Sequence, residues 1–160
     1  MTKPRKKYRP KGVRLDCMAW IKSGMLPVSK VEHAGIMLKI KNHAALANIT
    51  QGKGTRDDID IVIAAMNVTE ALALLGKGKD WHSEIRAAQE AILTMGKRGL
   101  AKGDRFLFTG HEMQAVNLAM DVHDAQLDEC TVAELEKALQ MVDREIRHKR
   151  ARMIKEEAAA

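Results

Sequence analysis

Residues 109–142 read TGHEMQAVNLAMDVHDAQLDECTVAELEKALQMV, and within them lie two helices and the break between them. Thr109-x-x-Glu112 is a capping box: the threonine oxygen and the glutamate carboxylate each satisfy a backbone N–H that the first turn leaves without a partner. Behind it Met113, Val116, Met120, His123 and Leu127 recur at helical spacing. Thr131-x-x-Glu134 repeats the signal, with Leu135, Leu139, Val142 and Ile146 as the predicted inward stripe. The same grammar extends toward the N-terminus. Thr55-x-x-Asp58 opens a helix with Ile59, Val62, Ile63 and Met66 inward and Gly76 as its stop. Its β-branched start, IDIVI, also fits a strand. Ser29-x-x-Glu32 predicts a helix with Ala34, Leu38, Ala45 and Ile49 on one stripe, ending near Gly52.

Two further helices lack the full box. Asp16 is placed to cap a short one holding Met18, Trp20 and Ile21, ending at Gly24 before Pro27. Asp80 is placed to cap a long one with the stripe Trp81, Ile85, Ala88, Ile92 and Met95, stopped by Gly96 and Gly99. Arg105-Phe106-Leu107-Phe108 is long enough only for an extended connector or one lone strand. Caps, periodicity and stops agree, so the expected fold is all-α, a compact bundle of about five to six helices. No sequence repeat of solenoid length interrupts that reading.

A chain of 160 residues can bury a sizeable core without a disulfide or metal staple. With 46% hydrophobic and 30% charged residues it is not disordered throughout, and 3% aromatic content disfavours a strand-rich sandwich or a base-stacking sheet. No apolar run approaches the roughly 18 residues of a membrane span, and no apolar targeting segment follows the basic start. Cys17 and Cys130, far apart and outside any Cys/His cluster, read as small apolar residues in a reducing, cytoplasmic setting.

The net charge of +6 is unevenly placed. Residues 1–14 hold Lys3, Arg5, Lys6, Lys7, Arg9, Lys11 and Arg14 with no acid, leaving 20 basic against 21 acidic side chains for 15–160. The segment has two prolines and almost nothing apolar, so it is expected to be a disordered arm that does not pack on its own. Lysine and arginine in that density suit contacts along a polyanion, and Tyr8 among them suits stacking. These eight residues are the candidate nucleic-acid-binding site. The expected organisation is an arm over 1–14, a helical domain over 15–150, and a charged, alanine-ending tail over 151–160 that frays from the last helix.

Other constellations read as structural. His111-Glu112 begins as H-E-x-x-H does, but position 115 is alanine, so no second imidazole follows one turn later. His123 sits on an apolar stripe and reads as a buried, hydrogen-bonded histidine. Asp121, Asp124 and Asp128 share a helix face and are expected to meet solvent or basic partners rather than a metal. The three serines, 23, 29 and 83, give no nucleophile–base arrangement. Gly52-Lys53-Gly54-Thr55 lacks the spacing and the preceding strand of a phosphate-binding loop. With Gly76–Lys79, Gly96–Gly99 and Lys102-Gly103 it forms a set of basic turns that would make a basic rim if they share one end of the bundle. No helix-turn-helix, zinc-finger, RRM or KH pattern is present, so base-specific readout is not expected. No catalytic residue, metal or cofactor is assigned.

The stretches KKYRPKGVRLD, KIKNHAALANITQGKGTRDDID and HDAQLDECTVAELEKAL resemble small uncharacterised proteins encoded by phages and prophages. That resemblance implies a context, a small accessory protein in a bacterial cytoplasm, and carries no functional residue. The sequence therefore leads to a non-enzymatic protein that binds nucleic acid non-specifically through its arm, with Arg144, Arg147, Lys149, Arg150 and Arg152 assisting. The alternative is an accessory factor that binds a host protein through its helical surface. Alanine- and methionine-rich stripes on several helices exceed what one small bundle can bury, which is compatible with a homodimer under either reading.

Overall fold

A computed structural model describes residues 17–31 and 33–151, with side chains from residue 21 onward. The arm (1–14), Asp16, the side chains of Met18 and Trp20, and residues 152–160 lie outside the described residues. Among the described residues six α-helices follow in order: α1 (Cys17–Gly24), α2 (Ala34–Thr50), α3 (Arg56–Leu74), α4 (His82–Ala101), α5 (Gly110–Glu129) and α6 (Val132–Arg147). Among the described residues there is no strand, only two isolated bridges, Pro27 with Thr131 and Gly54 with Phe106.

α3 is the axle. Ten of its residues are buried, among them Ile59, Val62, Met66, Thr69 and Leu72, because α2, α4, α5 and α6 all pack against it. The β-branched IDIVI start is helical. Its box is fully formed, with Asp58 N donating to Thr55 Oγ1 and Thr55 N donating to Asp58 Oδ2. The boxes at Thr109–Glu112 and Thr131–Glu134 form in the same way. These three caps place the starts of α3, α5 and α6.

Ser29 does not start a helix, and its partner in the fourth box, Glu32, lies outside the described residues. Val28–Lys30 is a 3-10 turn whose Val28 N–H goes to Cys130 O at 2.9 Å, and Ser29 Oγ donates to Asp128 O instead of capping. α2 begins only after His33, in the left-handed region at φ 59° with no side-chain cap. Asp80 does not cap α4 either: it sits in a second 3-10 turn, Lys79–Trp81, and Trp81 is 44% exposed rather than inward.

Nor do Gly96 and Gly99 stop α4, which continues through both to Ala101. Both are buried, and the reason at Gly99 is a close approach: a Cβ there would overlap the ring of Phe106. The connector after α4 is extended, so Phe106 and Phe108 turn into the core while Leu107 between them faces outward. On α6 the predicted stripe is rotated. Ala138 is the one fully buried residue of that helix, Leu135 and Val142 are half-buried, and Leu139 and Ile146 are exposed. The last helix meets α3 along the Ala138 line, and that line is narrower than its apolar face.

Glycine substitutions separate these causes. G99A should destabilise the protein by about 1–3 kcal/mol in urea unfolding, because overpacking against Phe106 outweighs the gain in helix propensity. G110A, at the first turn of α5 with nothing within 4 Å of a new Cβ, should be neutral or slightly stabilising.

Candidate functional site

All eight residues assigned from sequence to the nucleic-acid site (Lys3, Arg5, Lys6, Lys7, Tyr8, Arg9, Lys11 and Arg14) lie outside the described residues. The described body shows the charge layout behind them. Lys39 meets Asp128 at 2.7 Å, Arg56 meets Asp104 at 2.8 Å, Lys77 meets Glu134 at 3.5 Å and Arg86 meets Glu70 at 3.2 Å. Arg98 grips Glu112 with both terminal nitrogens, at 2.8 and 2.6 Å, and also donates to Leu107 O. That fork, with the Thr109 cap, holds the Glu112 carboxyl down at about 2. Glu112 thus serves the cap and the fork, and His111 beside it is exposed.

The residues named as assistants at the end of α6 divide. Arg147 is paired with Asp143 and Arg150 with Glu145, each at 2.7 Å, whereas Arg144 lines a groove and Lys149 is exposed. Arg152 lies outside the described residues. The basic turns divide as well. Gly52–Thr55 and Lys102–Gly103 share one end of the bundle, tied by the Gly54–Phe106 bridge and the Arg56–Asp104 pair. The Gly76–Lys79 turn is at the opposite end, where Gln126 donates to Lys77 O at 2.7 Å. Gly96–Gly99 lies inside α4. One rim holding every basic turn is therefore excluded.

A groove of about 630 Å³ runs between α3, α4 and the C-terminal half of α6. Its apolar surface comes from residues such as Ile63, Leu74, Ile92, Leu93, Met141 and Ile146, and its polar edge from Glu70, Arg86, Gln89, Arg144 and Arg150. Gln89 bridges to Asn67 Oδ1 and Glu70 Oε2, which locks the polar edge where α3 meets α4. Sequence reading did not single out this recess. Its residues come from three separated segments of the chain, and no local pattern in the sequence marks them as neighbours.

The aspartates of α5 meet basic partners on α2. Asp128 takes Lys39, and Asp124 Oδ2 takes His43 Nε2 at 2.8 Å, while Asp121 is exposed. Among the described residues no group of three or more His, Cys, Asp or Glu side chains converges as metal ligands. Next to Asp124, His123 is buried with both ring nitrogens engaged: Asn42 Nδ2 at 3.1 Å from Nε2, and Thr69 Oγ1 at 2.8 Å from Nδ1. Thr69 Oγ1 donates to Ala65 O, so it accepts from Nδ1–H, and Asn42 donates to Nε2. The set closes only for the neutral imidazole. Burial above all pushes its pKa down to about 4. Cys130 is a buried thiol whose pKa burial pushes up, which suits its role as packing.

No helix among the described residues is long and apolar enough to cross a membrane. No family model, curated protein or solved structure matches the chain.

His123 gives the fold a defined acid response. Its folded pKa of about 4 lies below the unfolded value of 6.5, so its contribution is intact above pH 6.5 and lost as pH falls toward 4. The loss is about 1.4 kcal/mol per pH unit, about 3 kcal/mol in all. Urea unfolding at pH 7.0, 5.5 and 4.5 should show that slope, and H123Q should lose it even if it is less stable at every pH.

Proposed function

We propose that this protein is a non-enzymatic nucleic-acid-binding protein. Lys3, Arg5, Lys6, Lys7, Arg9, Lys11 and Arg14 contact phosphates, and Tyr8 stacks on an exposed base or sugar. The observation that carries the reading is the segregation of charge. The helical body pairs many of its own cations with its own carboxylates, and it is close to neutral, so the uncompensated charge belongs to residues 1–14. Unpaired cations are the ones that release counterions when they meet phosphate. The absence of a base-reading motif makes the binding non-specific in sequence. The resemblance to phage-encoded proteins supplies the context, an accessory protein acting in a host cytoplasm.

A second reading is favoured by one specific feature, the groove between α3, α4 and α6. With an apolar floor and charged edge it has the form of a surface that takes an amphipathic segment of another protein. Contacts of that kind resist salt, since buried apolar area carries them rather than phosphate charge.

Co-purification from a bacterial lysate separates the two. Nucleic acid should accompany the full-length protein at low salt, vanish after nuclease or in high salt, and be absent when residues 1–14 are deleted. The melting temperature should stay within a few degrees, because the deleted segment has almost no apolar side chains to bury. A discrete protein that survives nuclease and high salt with either chain would favour the groove and overturn the first reading.

A further inference from the structure

α6 ends in a turn that gives the chain a definite direction. The helix stops at Arg147, and Lys149 stands in the left-handed region at φ 56°. Lys149 N–H donates to Ile146 O and Arg150 N–H donates to Glu145 O, each at 3.0 Å. That pair of bonds is the Schellman motif, which satisfies the last carbonyls of a helix and carries the chain away from its axis. Lysine adopts the left-handed region only at a cost that glycine escapes. The turn is braced from outside, where the Arg150 guanidinium forks onto Glu145 with both bonds at 2.7 Å.

The turn leads into the groove. Arg150 and Ala151 both belong to its lining, and Ala151 is half-buried there. α3 contributes Ile63 and Leu74 to the apolar surface, α4 contributes Leu93 and α6 contributes Ile146. The polar edge uses much of its charge internally, since Arg86 meets Glu70 and Arg150 meets Glu145. What the groove leaves unmatched is apolar: Leu74 is 64% and Ile146 is 56% exposed. The chain that continues from Ala151 reads RMIKEEAAA over 152–160, and its two large apolar side chains, Met153 and Ile154, come almost at once. They stand two and three residues beyond Ala151, within roughly 7 to 11 Å of it even along extended backbone.

We propose that residues 152–157 of the same chain occupy this groove, with Met153 and Ile154 seated on its apolar surface. In extended backbone neighbouring side chains point to opposite sides, so the two together reach both sides of the groove. The place where the chain leaves α6 carries the assignment, and charge does not. Tethered through Ala151, the segment meets the groove as an intramolecular ligand at high effective concentration. A separate molecule making the same contacts also loses its translational and rotational freedom. The groove is thereby closed in cis, and a protein segment of the second reading above would have to displace the strap. Occupancy rests on neither reading of function, and its test needs no partner.

Methyl-labelled full-length protein, treated with nuclease, tests this directly by NMR. Nuclear Overhauser cross-peaks should connect the Met153 and Ile154 methyls to those of Ile63, Leu74, Leu93 or Ile146. The amides of 153–156 should exchange about tenfold or more slowly than in a free peptide of residues 150–160. Both results should be the same at about 10 and 200 µM, as for a contact within one chain. M153S/I154S should remove the cross-peaks and bring those amides to the peptide's rate. The bundle should stay folded, because neither residue belongs to its core clusters. Tail methyls with no cross-peak to the groove, amides exchanging at the peptide's rate, or protection indifferent to M153S/I154S would each overturn the proposal. So would cross-peaks and protection that grow with concentration, which would seat the segment on a second copy.

Discussion

The hydrogen-bond chain from Asn42 through His123 to Thr69 and on to Ala65 O fixes three helices against one another. Apolar contacts make α2, α3 and α5 adhere, but they tolerate sliding and repacking; directional bonds in a buried site do not. Each member is buried, so a shift that breaks one bond leaves a polar atom unpaired at a cost of about 1–3 kcal/mol. With α2 and α5 set against α3, the other relations follow. The exposed pairs on the same two helices follow: His43–Asp124 directly beside the Asn42–His123 contact and Lys39–Asp128 about a turn away. α4 lies along α5 with Phe106 over Gly99, and α6 is left the remaining face of α3.

This construction has a consequence for charge. A small helical body in which many cations are gripped by neighbouring carboxylates has little field of its own to offer a polyanion. The fork from Arg98 to Glu112 illustrates the point: it caps a helix, holds a connector carbonyl and uses both charges internally. Under the proposed reading, binding through residues 1–14 needs nothing from the bundle except a stable place to be attached.

Much of the fold was legible from residues. The boxes at Thr55, Thr109 and Thr131 form because each threonine stands where the chain turns into a helix. Ser29 carries the same signal, but it sits inside a 3-10 turn with its hydroxyl given to Asp128 O, and α2 begins only after His33. Gly96 and Gly99 misread as stops since glycine marks a helix end and a close approach with the same letter; only the position of Phe106 distinguishes them. Leu139 and Ile146 expose the deeper limit of periodicity, which says that a face is apolar and not which body covers it. The groove was illegible because three separated segments build it. The arm was the reverse case, plain in the sequence and outside the described residues.

The central claim, that the uncompensated cations of residues 1–14 make the nucleic-acid contacts, is tested most directly by the salt dependence of binding to a short oligonucleotide. If the seven cations act together, log K should fall against log salt concentration with a slope of about −5 to −6. Replacing Lys6, Lys7 and Arg9 by glutamine should reduce the slope by about 2–3 while the melting temperature holds. A slope near zero, or a steep slope unmoved by those substitutions, would contradict the account.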